Sequence, residues 1–142
     1  MSATSPNEAT DNKAVHFEDP VELLRYLYAD LTRLSQVASP DIVLHCSDHT
    51  TSLRGIAAAQ AHEEALVAAT GGTLHMDVKS VTMDGELRGV RGFMRARKPG
   101  LEDLEAQFYG LWRFENGKPV EHFENIIGDT MKVVRWFGAA SA

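Results

Sequence analysis

The sequence predicts a single α+β domain in which helices come first and an antiparallel sheet follows. Three observations lead to this fold class. Apolar residues recur at helical spacing before residue 70, and strand-like alternation begins after Thr73. Two turn signals, Asp84-Gly85 and Asn116-Gly117, then separate β-prone runs. Helices followed by hairpins are typical of an α+β architecture.

The first helix is predicted to begin at Asp19. Asp19 can cap the helix, Pro20 suits the first helical position, and Glu22 can complete a capping box. An apolar stripe at helical spacing follows, made of Leu24, Leu27, Tyr28, Leu31 and Leu34. It continues to about Val37, and Ser39-Pro40 ends it.

A short strand and a second helix come next. Residues 41–47 form a β-prone run, and residues 50–54 are predicted to be a polar loop. Residues 55–70 are rich in alanine and contain no helix breaker, so they predict a helix that Gly71-Gly72 ends.

The second half of the chain predicts two long hairpins. Gly89 and Gly92 predict bends or bulges within the second strand of the first hairpin. The tail contains Val133, Val134, Trp136 and Phe137 and is expected to pack in part, either over the cavity or over an interface. The expected strands are residues 74–83, 86–97, 104–115 and 119–127.

The expected domain organisation is one domain over residues 15–138. Residues 1–14 are polar and predict a flexible start, and residues 139–142 predict a short tail. The start lacks the apolar core of a signal peptide, and no stretch reaches the roughly 20 apolar residues of a membrane span. A cytoplasmic protein without a membrane partner is therefore the default expectation.

Composition excludes some classes of function. The formal net charge is −6, which argues against a non-specific nucleic-acid binder because such proteins need a basic surface. Cys46 is the only cysteine, so the chain can form neither an internal disulfide nor a zinc site with several thiolates. A curved sheet covered by helices instead predicts a concave apolar pocket for a small molecule.

Three segments carry a resemblance to a known family. They are residues 41–46, residues 53–57 and above all residues 111–124, where Trp112-Arg113-Phe114 precedes an Asn-Gly-Lys turn and then Val120-Glu121-His122. The chain resembles the SnoaL-like polyketide cyclase group of the nuclear transport factor 2-like superfamily over roughly residues 17–127. This resemblance implies a cone-shaped barrel of strongly curved, mostly antiparallel sheet covered by N-terminal helices. The superfamily contains isomerases, cyclases, epoxide hydrolases, dehydratases and non-catalytic binding proteins, so the fold does not imply one function.

His122 and Glu124 are the candidate catalytic residues. They are two apart in a predicted strand, so they lie on one face and form an imidazole–carboxylate pair. An imidazole titrates near neutral pH, which suits general acid–base catalysis. The alternative is a partly buried histidine that hydrogen-bonds within the strand. If His122 faces the cavity, Ile126 does too.

The residue opposite His122 depends on the second turn. A two-residue turn pairs Leu111 with His122, whereas a bulged three-residue turn pairs Gly110 with His122. The second register is favoured because it places Trp112 and Phe108 in the pocket. The full predicted lining is His62, Cys46, Tyr109, Trp112, Phe108 and Ile126.

Cys46 and His62 are placed by the resemblance. Counted from Gly55, Cys46 falls near the position where ketosteroid isomerases have an aspartate base, and a thiol is a poor substitute for it. This difference argues against ketosteroid isomerase activity. A nucleophilic Cys46 and a small buried apolar Cys46 both stay open. His62 falls where relatives have a pocket-lining aromatic residue, although its polar neighbours also allow a solvated position.

No metal site is expected. His45 and His49 are four apart, and that spacing brings ligands together only on a helix. The basic run from Arg88 to Lys98 has two readings, a solvated or dimer-forming outer face, or an anion-binding site.

The sequence thus predicts a protein that binds a hydrophobic or aromatic small molecule in its cavity. If it is an enzyme, the resemblance implies cofactor-independent acid–base chemistry, with His122 as acid or base and Glu124 orienting it. The alternative is a non-catalytic ligand-binding or association domain of the same fold. A homodimer is also expected, because the outer sheet face carries aromatic residues.

Overall fold

The computed structural model describes residues 14–142; the rest of the predicted flexible start lies outside them. Helices precede most of the sheet in chain order. The helices are α1 (Pro20–Ala29), a 3-10 turn (Leu31–Arg33), α2 (Leu34–Val37), α3 (Ile56–Ala69) and α4 (Thr130–Ala140). The strands are β1 (Val43–His45), β2 (Ser52–Arg54), β3 (His75–Asp84), β4 (Leu87–Ala96), β5 (Leu104–Glu115), β6 (Lys118–Phe123) and β7 (Ile126–Ile127).

The first predicted helix is divided into shorter pieces. Asp19 caps α1 as expected, accepting a hydrogen bond from the Val21 N–H. Asp30 then leaves the helical conformation and caps the 3-10 turn, with its side chain accepting from the Thr32 N–H. The apolar stripe nevertheless continues across the break, so Leu24, Leu27 and Leu34 are all buried.

The prediction for residues 50–54 was wrong in part. Residues 52–54 form β2, which pairs antiparallel with β1. A short turn joins β1 to β2. The Asp48 carboxylate stabilises this turn by accepting hydrogen bonds from the Thr50 and Thr51 N–H groups. The polar composition of residues 50–54 predicted a loop. Strand β2 lies at the edge of the sheet, where exposed polar side chains are tolerated, so a polar segment can form a strand there.

The seven strands form one strongly curved sheet that is not closed. Its order is β2-β1-β6-β5-β4-β3, with β7 pairing with β5. All pairs are antiparallel except β1 with β6. A register shift in β3 at Lys79 interrupts its pairing with β4. Such bulges increase local twist, and here the curvature produces the concave face of a cone.

The register at the second turn differs from both sequence alternatives. Asn116 and Gly117 form a two-residue turn in which Glu115 pairs with Lys118. One extra residue in β6, Val120, then shifts the pairing so that Trp112 lies opposite His122. Counting from the turn fails because it assumes that no residue is inserted into the strand.

Helices cover the concave face and complete the core. The tail packs as expected, because α4 buries Val133. Lys98 anchors the covering helices, since its ammonium donates to the Ala69 carbonyl at 3.0 Å and to the Ala140 carbonyl at 2.6 Å. Within residues 14–142, no helix is both long and apolar enough to cross a membrane.

Candidate functional site

A cavity of about 370 Å³ lies between the concave sheet face and the helices. Most of its wall is apolar, with contributions from Leu31, Leu66, Leu74, Met76, Met94 and Phe108. Helix α4 closes one side with Val133, Val134 and Phe137. The polar side chains are concentrated on a smaller part of the wall. A cavity of this character suits an apolar molecule that carries a few polar groups.

Aromatic side chains order the floor of the cavity. The Trp112 indole N–H donates to the Tyr28 hydroxyl at 3.0 Å, and the Tyr28 ring stacks on Phe108. Gly110 makes this arrangement possible, because a Cβ there would lie 2.4 Å from the Tyr28 hydroxyl oxygen. Burial raises the pKa of Tyr28, so its hydroxyl stays protonated.

His122 lies in the cavity wall and stacks on Trp112, with ring centroids 3.5 Å apart. Its Nδ1 lies 3.2 Å from the Leu111 carbonyl oxygen. Because a carbonyl only accepts, Nδ1 carries the proton and Nε2 of the neutral ring is an acceptor. Burial lowers the pKa of His122 to about 4, so the ring is neutral at pH 7.

Glu124 contacts His62 rather than His122. The His62 Nε2 lies 3.3 Å from each Glu124 carboxylate oxygen. Burial lowers the pKa of His62, but its hydrogen bond and charge interaction with Glu124 outweigh burial and raise that pKa overall. Burial likewise acts to raise the pKa of Glu124, but the hydrogen bond to His62, the charge interactions with His122 and His62 and a hydrogen bond with Glu63 together lower this pKa.

Glu63 is a second carboxyl beside this pair. Its side chain is 7% exposed, and its Oε1 has no hydrogen-bond partner among the described residues. Burial and the negative charge of Glu124 raise the pKa of Glu63 well above its usual value. This shift favours the protonated form of Glu63 beside the Glu124 carboxylate, with which it shares a hydrogen bond.

Cys46 lies at the same polar part of the wall, directly after β1. Burial and the charge of Glu124 raise the pKa of the Cys46 thiol to about 11, so the thiol is protonated at pH 7. An unassisted nucleophilic thiolate is therefore disfavoured. The neighbouring Asp48 uses its carboxylate in the β1–β2 turn, and these hydrogen bonds lower its pKa to about 2.

Most of the side chains predicted from the sequence meet in this cavity. Its wall includes His122, Glu124, His62, Cys46, Trp112, Phe108 and Ile126. Tyr109 is the exception: the residues on either side of it in β5, Phe108 and Gly110, line the cavity, so Tyr109 lies on the opposite sheet face. There its hydroxyl occupies the space above Gly89.

Sequence reasoning missed two residues of the site, Tyr28 and Glu63. Tyr28 belongs to the apolar stripe of the first helix, where it reads as an ordinary core residue. Glu63 follows His62 in α3, and two adjacent polar residues on a helix read as a solvated face. The one usable signal is that Glu63 lies four residues after Ala59, on the buried side of α3.

Two histidine clusters differ in their suitability for metal. Cys46, His62 and Glu124 each offer a donor atom, and these atoms lie within 4.8 Å of one another. His45 points to the other side of the sheet, where its Nε2 contacts Glu121 at 2.6 Å and its Nδ1 contacts the Ser52 hydroxyl at 2.8 Å. His45 and His49 do not form a metal cluster in the part of the chain described.

The basic run lies outside the cavity wall. Arg95 forms ion pairs with Asp77 and Glu105, and Arg97 pairs with Asp103. Since no residue from Arg88 to Lys98 other than Met94 lines the cavity, the run fits an outer face better than an anion site there.

Comparison with solved structures places this geometry among known folds. A Xanthomonas campestris protein of unknown function with a cystatin-like fold is 18% identical, with 83% of this chain and 98% of that chain covered and a TM-score of 0.69. A Jannaschia sp. CCS1 protein described as a SnoaL-like polyketide cyclase is 17% identical, with 87% and 92% covered and a TM-score of 0.68. TerC, crystallised with polyporic acid, is 15% identical, with 84% and 98% covered and a TM-score of 0.68.

These identities establish the fold alone. No curated protein sequence matches the chain significantly. The family model of the SnoaL-like domain, however, matches residues 25–122, which run from the second half of α1 to His122 in β6 and include most of the cavity wall. The chain therefore belongs to the SnoaL-like domain family of the nuclear transport factor 2-like superfamily.

Proposed function

We propose that this protein binds a hydrophobic or aromatic small molecule in the cavity and acts on it by acid–base chemistry without a cofactor. Cyclisation, isomerisation, hydration or dehydration, and epoxide opening all belong to this class. The observation that carries the proposal is the concentration of His122, Glu124, His62 and Glu63 on one part of a mostly apolar wall. Relatives described as polyketide cyclases support a ligand of this kind.

The hydrogen bonds suggest a role for each side chain. His122 commits its Nδ1 proton to the Leu111 carbonyl, which leaves Nε2 to accept a proton from a bound molecule. Glu124 is hydrogen-bonded to His62 and not to His122, so it acts as an acid–base group that is positioned independently of His122. Glu63 supplies a hydrogen-bond donor next to it. Trp112 and Phe108 hold the apolar part of the ligand.

Binding can be tested first with two probes, polyporic acid and a hydrophobic fluorescent dye such as anilinonaphthalene sulfonate. Val134→Trp narrows the cavity from α4 and should weaken binding of both probes. Met83→Trp is the matched control, because Met83 is 71% exposed and lies outside the cavity wall. Equal affinities of the two variants would contradict binding in the cavity.

Catalysis can be tested by proton exchange. With β-tetralone in deuterium oxide, the protein should accelerate incorporation of deuterium next to the carbonyl, as followed by NMR. His122→Ala should abolish the acceleration, whereas Tyr109→Phe on the opposite sheet face should retain it. A ketone that binds without accelerated exchange would favour the alternative function, a non-catalytic ligand-binding domain of the same fold.

We also propose a cytoplasmic homodimer. The outer face of β4 and β5 presents half-buried aromatic side chains, Phe93 and Tyr109, with Leu111 beside them. A second copy that covers this face would remove their remaining apolar surface from water. Sedimentation at micromolar concentration should give a dimer, and a purely monomeric protein would contradict the proposal.

A further inference from the structure

Cys46, His62 and Glu124 come from three separate parts of the chain and meet at the polar part of the cavity. One sulfur, one ring nitrogen and one carboxylate oxygen lie within 4.8 Å of one another. We propose that these three side chains bind a divalent transition-metal ion, with Zn²⁺ as the best match. This inference goes beyond the proposed function: the metal-free protein would use His62 and Glu124 in acid–base chemistry, whereas a bound ion would take these two side chains as ligands and leave His122 as the base.

The spacing of the donors fits one ion. In a tetrahedral site with Zn–N and Zn–O bonds of about 2.1 Å, two such ligand atoms are separated by about 3.4 Å. The His62 Nε2 lies 3.3 Å from each oxygen of Glu124. A charge-assisted hydrogen bond would bring the atoms closer, to about 2.8 Å. The Cys46 sulfur lies within 4.8 Å of the other two donor atoms, whereas a tetrahedral site needs about 3.6 Å, so the sulfur must move by up to about 1 Å to bind the same ion.

The donor types favour zinc over the lighter divalent ions. Mg²⁺ and Ca²⁺ prefer oxygen ligands, whereas a thiolate and an imidazole suit Zn²⁺ and Co²⁺. One thiolate and one carboxylate would also balance the charge of the ion. The thiol proton and any proton shared between His62 and Glu124 would leave when the metal binds.

Glu63 provides the second, independent observation. It is more than nine-tenths buried, it lines the cavity, and its Oε1 lacks a partner among the described residues. That atom lies 3.9 Å from the His62 Nε2. Glu63 also shares a hydrogen bond with Glu124, so it can orient the Glu124 carboxylate towards the ion, and such outer partners commonly tune metal affinity.

Three protein ligands leave one position of a tetrahedral ion open towards the cavity. This position would hold a water molecule or an oxygen atom of the bound ligand, the arrangement of catalytic rather than structural zinc sites. Asp48 does not compete for the ion, because its carboxylate is used by the β1–β2 turn. A bound ion would replace the hydrogen bond between His62 and Glu124, because it would use the same nitrogen and oxygen atoms as ligands.

The test uses tag-free, full-length protein stripped with a chelator. Titration with Zn²⁺ in a calorimeter should give one ion per chain, and Co²⁺ should produce a thiolate-to-metal charge-transfer band. Cys46→Ser should abolish that band, and His62→Gln and Glu124→Gln should each weaken Zn²⁺ binding at least about tenfold. Circular dichroism must show that these variants fold; a variant that does not fold is replaced by Cys46→Ala or His62→Ala.

His75→Ala is the matched control, because His75 is an exposed histidine outside the cavity wall. Zn²⁺ affinity unchanged in His75→Ala and lost in Cys46→Ser supports the site. Absent binding, or binding that Cys46→Ser leaves intact, overturns it. Exchange of β-tetralone protons measured with and without chelator separates this inference from the proposed function, since either can fail while the other holds.

Discussion

Removing the hydrogen bond between Tyr28 and Trp112 is the most direct test of how the cavity floor contributes to stability. Both side chains are buried, at 5% and 2% exposure, and the indole N–H donates to the hydroxyl at 3.0 Å. Tyr28→Phe keeps the ring that stacks on Phe108 but leaves the indole N–H without its acceptor. An unsatisfied buried donor costs about 1–3 kcal/mol, so the free energy of unfolding should fall by that amount.

Urea denaturation measures this loss, and a melting temperature lower by roughly 3–9 °C should accompany it. Tyr26→Phe is the matched control, because the Tyr26 hydroxyl bonds Gln36 at a half-buried position where water can replace it. The control should lose no more than about 0.5 kcal/mol. Equal losses in the two variants, or a stability of Tyr28→Phe within error of the wild type, would refute the reasoning.

Three further predictions concern stability, each measured by denaturant unfolding. Gly92→Ala should lower the free energy of unfolding by more than about 2 kcal/mol, because its Cβ would lie 2.2 Å from a backbone oxygen of β3. Gly138→Ala in α4 is the control: its Cβ meets no atom, so this substitution should raise the free energy of unfolding by about 0.5–1 kcal/mol. The reverse order of stabilities would contradict the packing. Lys98→Met should lose about 1–3 kcal/mol, because the carbonyls at the ends of α3 and α4 lose their donor, and no loss would contradict this clamp. The pKa of Glu121 is lowered by its hydrogen bonds to His45 and Arg113, so its stabilisation is present above the unfolded pKa of about 4.3 and is lost as the pH falls below it. The advantage of the wild type over Glu121→Gln should therefore shrink from pH 6 to pH 3, and a constant difference would be evidence against the ion pair.

Local signals predicted most of the elements, because each depends on a few neighbouring residues. Asp19 capped its helix and Gly71-Gly72 ended α3, whereas the first hairpin turn is Gly85-Glu86, one residue beyond the predicted Asp84-Gly85. The break at Asp30 escaped prediction because the apolar stripe runs through it. Strand β2 escaped because its residues are polar.

The cavity depended on long-range contacts that periodicity does not encode. Alternation placed His122 and Glu124 on one face correctly, but the partner of Glu124 is His62, 62 residues earlier in the chain. Glu63 and Tyr28 join them only because α3 and α1 pack over the concave sheet. Sequence patterns indicate which face of an element is buried, and the fold decides which buried faces meet.

The extra residue in β6 has a consequence for comparing this chain with its distant relatives. If Val120 were paired regularly instead of being an extra residue, pairing from Lys118 would place Glu121 in the position that His122 occupies opposite Trp112. An alignment at 15–22% identity that puts a gap elsewhere in this hairpin would match cavity side chains with surface side chains. Functional residues should therefore be transferred between these proteins by superposed strand pairs, with the insertion fixed at Val120.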